Sequence, residues 1–312
     1  MKKSLCEFVM QHFPKASDAE ELRSTYIANC VFNSFLSHTA IMLNIVTLHA
    51  IRKTSSLPKT LKTLLVSLAV SDVGVGFLVH PFYIYFLVKW LHQNPPGCNT
   101  YIALLIISLS FCVASFCGVV ALSVDRFLAI HLHLRYQELV THKRVVAAVI
   151  LIWLLSVFFP LLLLWLPLDV LSLITSILGI LSLVLTTMIY IRLYLTVRRV
   201  KNQIQAQQIQ QAVQTDEMGN FVSLVKSAVG IFYVYLVFLI CYLPFFTSLV
   251  AFNINGSSFS LKRFWLFSWT VVYLNSSLNP LIYCWKMRHI RHAIMDILRS
   301  MPRLRNRASH LS

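Results

Sequence analysis

The sequence predicts an all-α membrane protein, a bundle of seven transmembrane helices followed by a short amphipathic helix. Three observations predict it. Hydrophobic residues make up 57% of the chain and charged residues 12%, where an ordinary soluble domain carries about 25% charged residues. The apolar letters lie in seven long blocks rather than in periodic stripes, and a hydrocarbon core about 30 Å thick needs about 20 such residues in a helix to cross it. The basic residues gather in alternate connections between blocks, the pattern that sets membrane topology.

The spans are expected at about 27–51, 61–89, 99–131, 145–166, 171–199, 222–252 and 264–286, forming one transmembrane domain over 27–286. Residues 1–26 precede it as an extracellular segment. They hold Glu7, Asp18, Glu20 and Glu21 and no apolar run of the signal-peptide kind, so the first span is expected to act as an uncleaved insertion signal. The fifth span runs into a Gln-rich stretch from Gln203 to Gln214, read as a polar extension of that helix. Pro244 interrupts the sixth block and Pro280 the seventh. An amphipathic segment, Trp285–Leu298, runs from the end of the seventh span into the terminal region 287–312.

A net charge of +16 raises the question of nucleic acid, and the placement of the charge answers it. With the N-terminus outside, 20 of the 27 Lys and Arg residues fall on cytoplasmic loops and adjoining helix ends. The others are Lys2, Lys3, Lys15, Arg23, Lys89, Lys262 and Arg263. The charge is thus a topology signal, and no nucleic-acid partner is expected. Seven cysteines form no disulfide framework. Cys112, Cys117, Cys241 and Cys284 sit in or at the ends of spans, where a buried thiol is the plain reading. Only Cys6, Cys30 and Cys98 would face an oxidising compartment.

Polar groups at mid-depth are costly in a membrane and mark function. Asp72 stands in the apolar run Leu64–Val79, with Asn44 in span one, Ser115 in span three, and Asn275, Ser276 and Asn279 in span seven. One carboxylate among hydroxyls and amides suits a small cation better than a catalytic centre. A transporter or channel is the alternative reading, but neither a second deep carboxylate nor an internal repeat supports it. His38, His49 and His80 lie at different depths without carboxylate partners, so no enzyme is expected.

Short motifs stand in order on these spans. Leu68-Ala69-Val70-Ser71-Asp72 lies on span two, Asp125-Arg126-Phe127 closes span three, and Trp153 stands within span four. Cys241-Tyr242-Leu243-Pro244 follows on span six and Asn279-Pro280-Leu281-Ile282-Tyr283 on span seven. With Asn44 on span one, the chain resembles a rhodopsin-like (class A) G-protein-coupled receptor along nearly its whole length. The resemblance implies a multi-pass plasma-membrane receptor that acts on heterotrimeric G proteins. It implies coupling and activation roles for Asp125, Arg126, Tyr190, Tyr283, Asn279 and Pro280. Phe116, Phe238, Tyr242 and Pro244 would form the packing switch and pivot. Asp72, Ser115, Asn275, Ser276 and Asn279 would form an allosteric sodium site, with no other metal or cofactor.

Departures from the family narrow the reading. Cys98 lies three residues earlier than the usual span-three cysteine, and the second outer loop, about Pro167–Val170, has none to pair with it. Cys98 therefore has Cys6 or Cys30 as partner, or stays free. Ser182 replaces the span-five proline. These traits resemble the melanocortin, cannabinoid and adenosine group, but the group's ligand hallmarks are missing: Phe82, Tyr101 and Leu105 are not acidic, and Leu249 stands for the adenosine-binding asparagine. Tyr242 replaces the usual tryptophan. Leu224 and Lys226 offer Arg126 no acid on helix six, so signalling without ligand is expected.

Ser108 occupies the position where amine receptors carry a carboxylate, and Tyr273 the position of the retinal lysine. The upper-pocket positions are His80, Phe82, Tyr83, Leu105, Ser108, Leu109, Cys112, Ile174, Thr175, Phe245, Phe246, Leu249, Trp265, Trp269 and Tyr273. That lining suits an apolar or aromatic small molecule, a lipid-like molecule or a short neutral peptide. Asn255-Gly256-Ser257 is a glycosylation sequon.

Overall fold

A computed structural model describes residue 18 and residues 20–55, 57–132, 135–166, 168–208, 215–256 and 258–308. Among the described residues every regular element is helical. Helix α1 spans Arg23–Lys53 and ends with Arg52 and Lys53 in its last turn, where cations complement the helix dipole. Helix α2 spans Lys59–Leu91 and widens into a π turn at Val75–Val79, closed by the His80 N–H on the Val75 carbonyl. Pro81 is the cause. It donates no hydrogen bond, and its ring would strike the carbonyl one turn back, so the helix takes an extra residue into that turn. Gly76 lies in the turn, and a Cβ there would sit 2.7 Å from Ile41 Cγ1 and 3.2 Å from the Ser37 carbonyl. Helix α1 thus packs directly on the widened backbone, and the Ser37 hydroxyl donates to the Gly76 carbonyl at 2.8 Å.

Helix α3, Cys98–Leu132, is the central rod and packs against α2 and the three long helices that follow it. A single turn, Tyr136–Leu139, leads to α4, His142–Leu161, capped by the Thr141 hydroxyl accepting from the Arg144 N–H at 3.4 Å. Pro160 ends α4 in the 3₁₀ turn Leu162–Leu164. Helix α5 spans Leu168–Gln208 and follows closely on the 3₁₀ turn that ends α4. Helix α6, Thr215–Asn255, carries Pro244 inside it. Helix α7, Phe259–Lys286, is capped by Ser258 and contains Pro280. Helix α8, Arg288–Ala308, starts after a break at Met287, which leaves Trp285 on α7 and exposed. Ile290, Ile294 and Ile297 are buried on one face of α8, which lies along α1, while Arg288, His289 and His292 face outward.

Six of these helices are long and apolar enough to cross a membrane. Helix α7 is more polar, and its Asn275, Ser276, Ser277 and Asn279 all point inward and are buried. Outward, the bundle shows large apolar side chains such as Phe35, Phe77, Leu154 and Ile240. An apolar exterior around a polar seam is the arrangement that lipid, rather than water, stabilises.

Candidate functional site

The polar seam begins where α3 ends. Arg126 Nε donates to Asp125 Oδ2 at 2.9 Å and Nη2 donates to the same oxygen. Both side chains are buried, at 1% and 4% exposure, and a buried charge is tolerated only when paired and hydrogen-bonded. The third partner is Tyr136, whose hydroxyl donates to Asp125 Oδ1 at 2.6 Å and lies 3.1 Å from the Thr60 hydroxyl. Burial, reinforced by the Asp125 charge, pushes the Tyr136 phenol up to about 12, so it stays a donor. The motif reading identified Asp125 and Arg126 but missed Tyr136, which only the turn after α3 brings into reach.

Arg126 also lines a cavity of about 1340 Å³ open at this end of the bundle, with Lys59, His142, Lys286 and Arg288 on its walls and no carboxylate among the described residues that line it. Leu224 of α6 lines it too; the side chain of Lys226 lies outside the described residues. Tyr190 faces Ser123, with the two hydroxyls 2.8 Å apart. The Tyr283 hydroxyl is buried with no partner among the described residues.

Midway along the bundle, Asp72 is fully buried and accepts from Asn279 Nδ2 at 2.9 Å. Ser71 and Ser115 are joined at 3.2 Å, and Asn44 Nδ2 donates to the carbonyls of Ala40 and Ser276, each at 2.9 Å. The Ser276 hydroxyl also faces the Asp72 carboxylate, and among the described residues the oxygens Asp72 Oδ1, Asn279 Oδ1, Asn275 Oδ1 and Asn44 Oδ1 are buried without a hydrogen bond of ordinary geometry. Each orphan acceptor costs about 1–3 kcal/mol. A set made only of acceptors, one of them a carboxylate, has the donor chemistry for a small hard cation or for water.

Above this chamber the Phe116 and Phe238 rings meet at 5.3 Å, and Phe238 stacks on Tyr242 at 4.0 Å. Tyr242 is the floor of a second cavity, about 370 Å³, between α3, α4, α5, α6 and α7. Leu109, Cys112, Thr175, Phe245, Phe246 and Trp269 of the sequence-predicted pocket line it. The other predicted pocket residues do not, and for a physical reason. The π turn of α2 directs His80 at α1, where its Nδ1 lies 2.9 Å from Asn33 Oδ1. Ser108 is tied to the Tyr273 hydroxyl at 2.9 Å, and Tyr83 donates to the Leu266 carbonyl at 2.9 Å. Tyr273 meets both Tyr83 and His80 edge-on at 5.5 Å. These contacts fill the α1–α2–α7 side. Trp265 stacks on Phe245 at 5.5 Å, and Phe82, Leu105 and Leu249 pack against the core without reaching the cavity.

Sequence reading missed Val113, Cys117, Leu155, Phe159, Leu178, Gly179, Ser182 and Val272 as lining residues. The one signal was Gly179, bare backbone in an apolar span. A Cβ there would sit 2.7 Å from the Phe246 ring.

At the opposite end from Arg126, Lys262 forms a buried ion pair with Asp18. Cys98 is disulfide-bonded and Cys30 is a free thiol, which removes Cys30 as its partner. The other alternative, Cys6, and the Asn255 sequon, through the Asn255 side chain and Ser257, lie outside the described residues.

The profile of the family described as "7 transmembrane receptor (rhodopsin family)" matches residues 43–169 and 165–283. The chain belongs to that family. It is therefore a multi-pass membrane receptor and not an enzyme. Among curated proteins it is similar to the histamine H2 receptor of Canis lupus familiaris, 27% identical over 273 residues, covering 78% of this chain and 71% of that one. It is also similar to the adenosine receptor A2a of the same species, 25% identical over 297 residues, covering 84% of this receptor and 69% of the relative. The adenosine receptor A2b of Gallus gallus matches a shorter stretch at 31% identity over 135 residues, 43% of this chain and 38% of that one.

Proposed function

We propose that this receptor sits in the plasma membrane with its N-terminus outside and transmits the binding of an apolar or aromatic ligand to heterotrimeric G proteins. The observation that carries the proposal is the uncharged cavity of about 370 Å³ resting on Tyr242, in stacking contact with Phe238 and, through it, Phe116. A ligand in that cavity touches the switch directly. Pro244 lies two residues beyond Tyr242 and removes one backbone hydrogen bond of α6, giving the helix a place to pivot. A ligand that fits one of two arrangements better shifts their populations by its differential affinity. Outward movement of the Arg126 end of α6 would enlarge the basic cavity there, and Arg126 would exchange Asp125 for Tyr190, Tyr283 and the G protein. Asn279 and Pro280 shape α7 beside them.

Relatives of this receptor are named for histamine and adenosine. Among the described residues no carboxylate lines the cavity, and Ser108 is engaged by Tyr273, so a protonated amine would find no counter-ion among them. Asp72, Asn275 and Asn279, with the Ser115 and Ser276 hydroxyls, would hold a sodium ion, which would neutralise the buried carboxylate and stabilise the resting arrangement. The lack of an acid at Leu224 supports signalling without ligand. The test is G-protein dissociation in cells across the main Gα classes, without ligand and then with a library of uncharged lipophilic compounds, beside Arg126→Ala. A signal in one class that Arg126→Ala abolishes supports the reading. Signals equal to those of Arg126→Ala throughout, at matched surface expression, overturn it.

A further inference from the structure

The cavity above Tyr242 has an opening that its floor and charge do not explain. At the Asp18 end the bundle is sealed by buried rings, Tyr83, Phe86, Trp90, Tyr101, Trp265 and Trp269, and by the buried Lys262–Asp18 pair. On the opposite wall, two lining residues are half exposed on the outer faces of their helices: Leu155 of α4 is 46% exposed and Leu178 of α5 is 51% exposed. Both helices pack on α3, yet among the described residues they scarcely touch each other. A side chain that lines an internal cavity and is also half exposed marks a mouth. This mouth lies on the apolar flank of the bundle, within two membrane-crossing helices and nearer their Asp18 ends.

We infer that ligand reaches this cavity sideways from the bilayer, through a port between α4 and α5, and that the ligand class is an uncharged, membrane-dissolved molecule with a hydrocarbon chain or ring system. The inference rests on the apolar-ligand reading given above. Lipid is the solvent at that depth, so a molecule already partitioned into it loses little on moving into a lining without charge, whereas a water-soluble ligand would have to shed its hydration first. At the inner end of the port stands Phe246, held against the bare backbone of Gly179, where any Cβ would displace the ring. The Ser182 hydroxyl, also in the lining, offers a hydroxyl or ester group its hydrogen bond.

The full receptor in phospholipid vesicles is the material for the test, and a diazirine-bearing dodecanol dissolved in those vesicles is the probe. Photolysis is followed by mass spectrometry of cross-links on Phe116 and Tyr242, which lie inside the cavity. Leu155→Trp with Leu178→Trp narrows the port; Leu155→Ala with Leu178→Ala widens it. The initial labelling rate is expected to fall about tenfold in the narrowed variant, the factor that about 1.4 kcal/mol of added barrier gives, and to rise in the widened one. Should the narrowed variant fail to fold, the widened one alone decides. Interior labelling at the wild-type rate in the variants overturns the port and leaves the apolar cavity standing. No interior labelling of the wild type overturns both.

Discussion

Asp125→Asn is the substitution whose effect follows most directly from the geometry. The carboxylate accepts three hydrogen bonds, two from Arg126 and one from the Tyr136 hydroxyl at 2.6 Å, in surroundings where both members of the ion pair are almost wholly buried. Asparagine keeps the shape, loses the charge, and turns an N–H₂ group toward one of its former donors. A net hydrogen bond to a charged group contributes about 1.5–3 kcal/mol, and about 2 kcal/mol is a conservative share for the contacts made only while Arg126 is held back. That shifts a two-state equilibrium about 30-fold, so an active population of about one in a hundred rises to about one in four. The assay is ligand-free G-protein dissociation at matched surface expression. A rise toward the ligand-stimulated maximum is expected in Asp125→Asn, and its loss in the double variant with Arg126→Ala. A basal signal equal to or below wild type would refute the view that Asp125 restrains Arg126.

Other expectations follow from single contacts. Asp18→Asn leaves the buried Lys262 ammonium without its carboxylate and should cost about 3 kcal/mol, read as a lower thermal midpoint in detergent that Lys262→Met largely restores; an unchanged midpoint would mean that the pair is not buried in solution. If the acceptor set around Asp72 holds sodium, replacing potassium chloride by sodium chloride should raise the thermal midpoint, by about 1 kcal/mol at a few multiples of the dissociation constant, and Asp72→Asn should abolish the difference. Gly76→Val should destabilise by about 2 kcal/mol through overpacking, because its Cβ would press on Ile41 and the Ser37 carbonyl; wild-type stability would contradict the close approach of α1 to the π turn.

What the sequence disclosed, and what it hid, follows the reach of local rules. Block length and charge placement suffice for a bundle of membrane helices, because hydrocarbon thickness and hydration act on each segment alone. Asp72 and Asn279 were legible for a related reason, since a polar group inside an apolar run is anomalous wherever it packs, while Asp125 and Arg126 were legible only through the motif they form at the end of span three. The π turn of α2 was not. Pro81 signals a disturbance, but whether a helix kinks, breaks or widens is decided by the neighbour, here α1 meeting Gly76. That one turn moved His80 onto Asn33, and with the Ser108–Tyr273 contact it filled the half of the pocket expected near α2 and α7. Tyr136 escaped notice because it sits in no span and matters only through Asp125. The α4–α5 side of the cavity escaped because Leu155 and Leu178 read as ordinary lipid-facing leucines, and depth along a helix says nothing about a gap between two of them.

The most direct test is nucleotide exchange. The purified receptor in lipid vesicles would be mixed with purified heterotrimers of each main Gα class, without ligand, beside Arg126→Ala of matched folding. Faster exchange by the wild-type receptor on at least one class, absent in Arg126→Ala, is the expected result. Exchange indistinguishable from Arg126→Ala on every class, with the receptor intact, would contradict it.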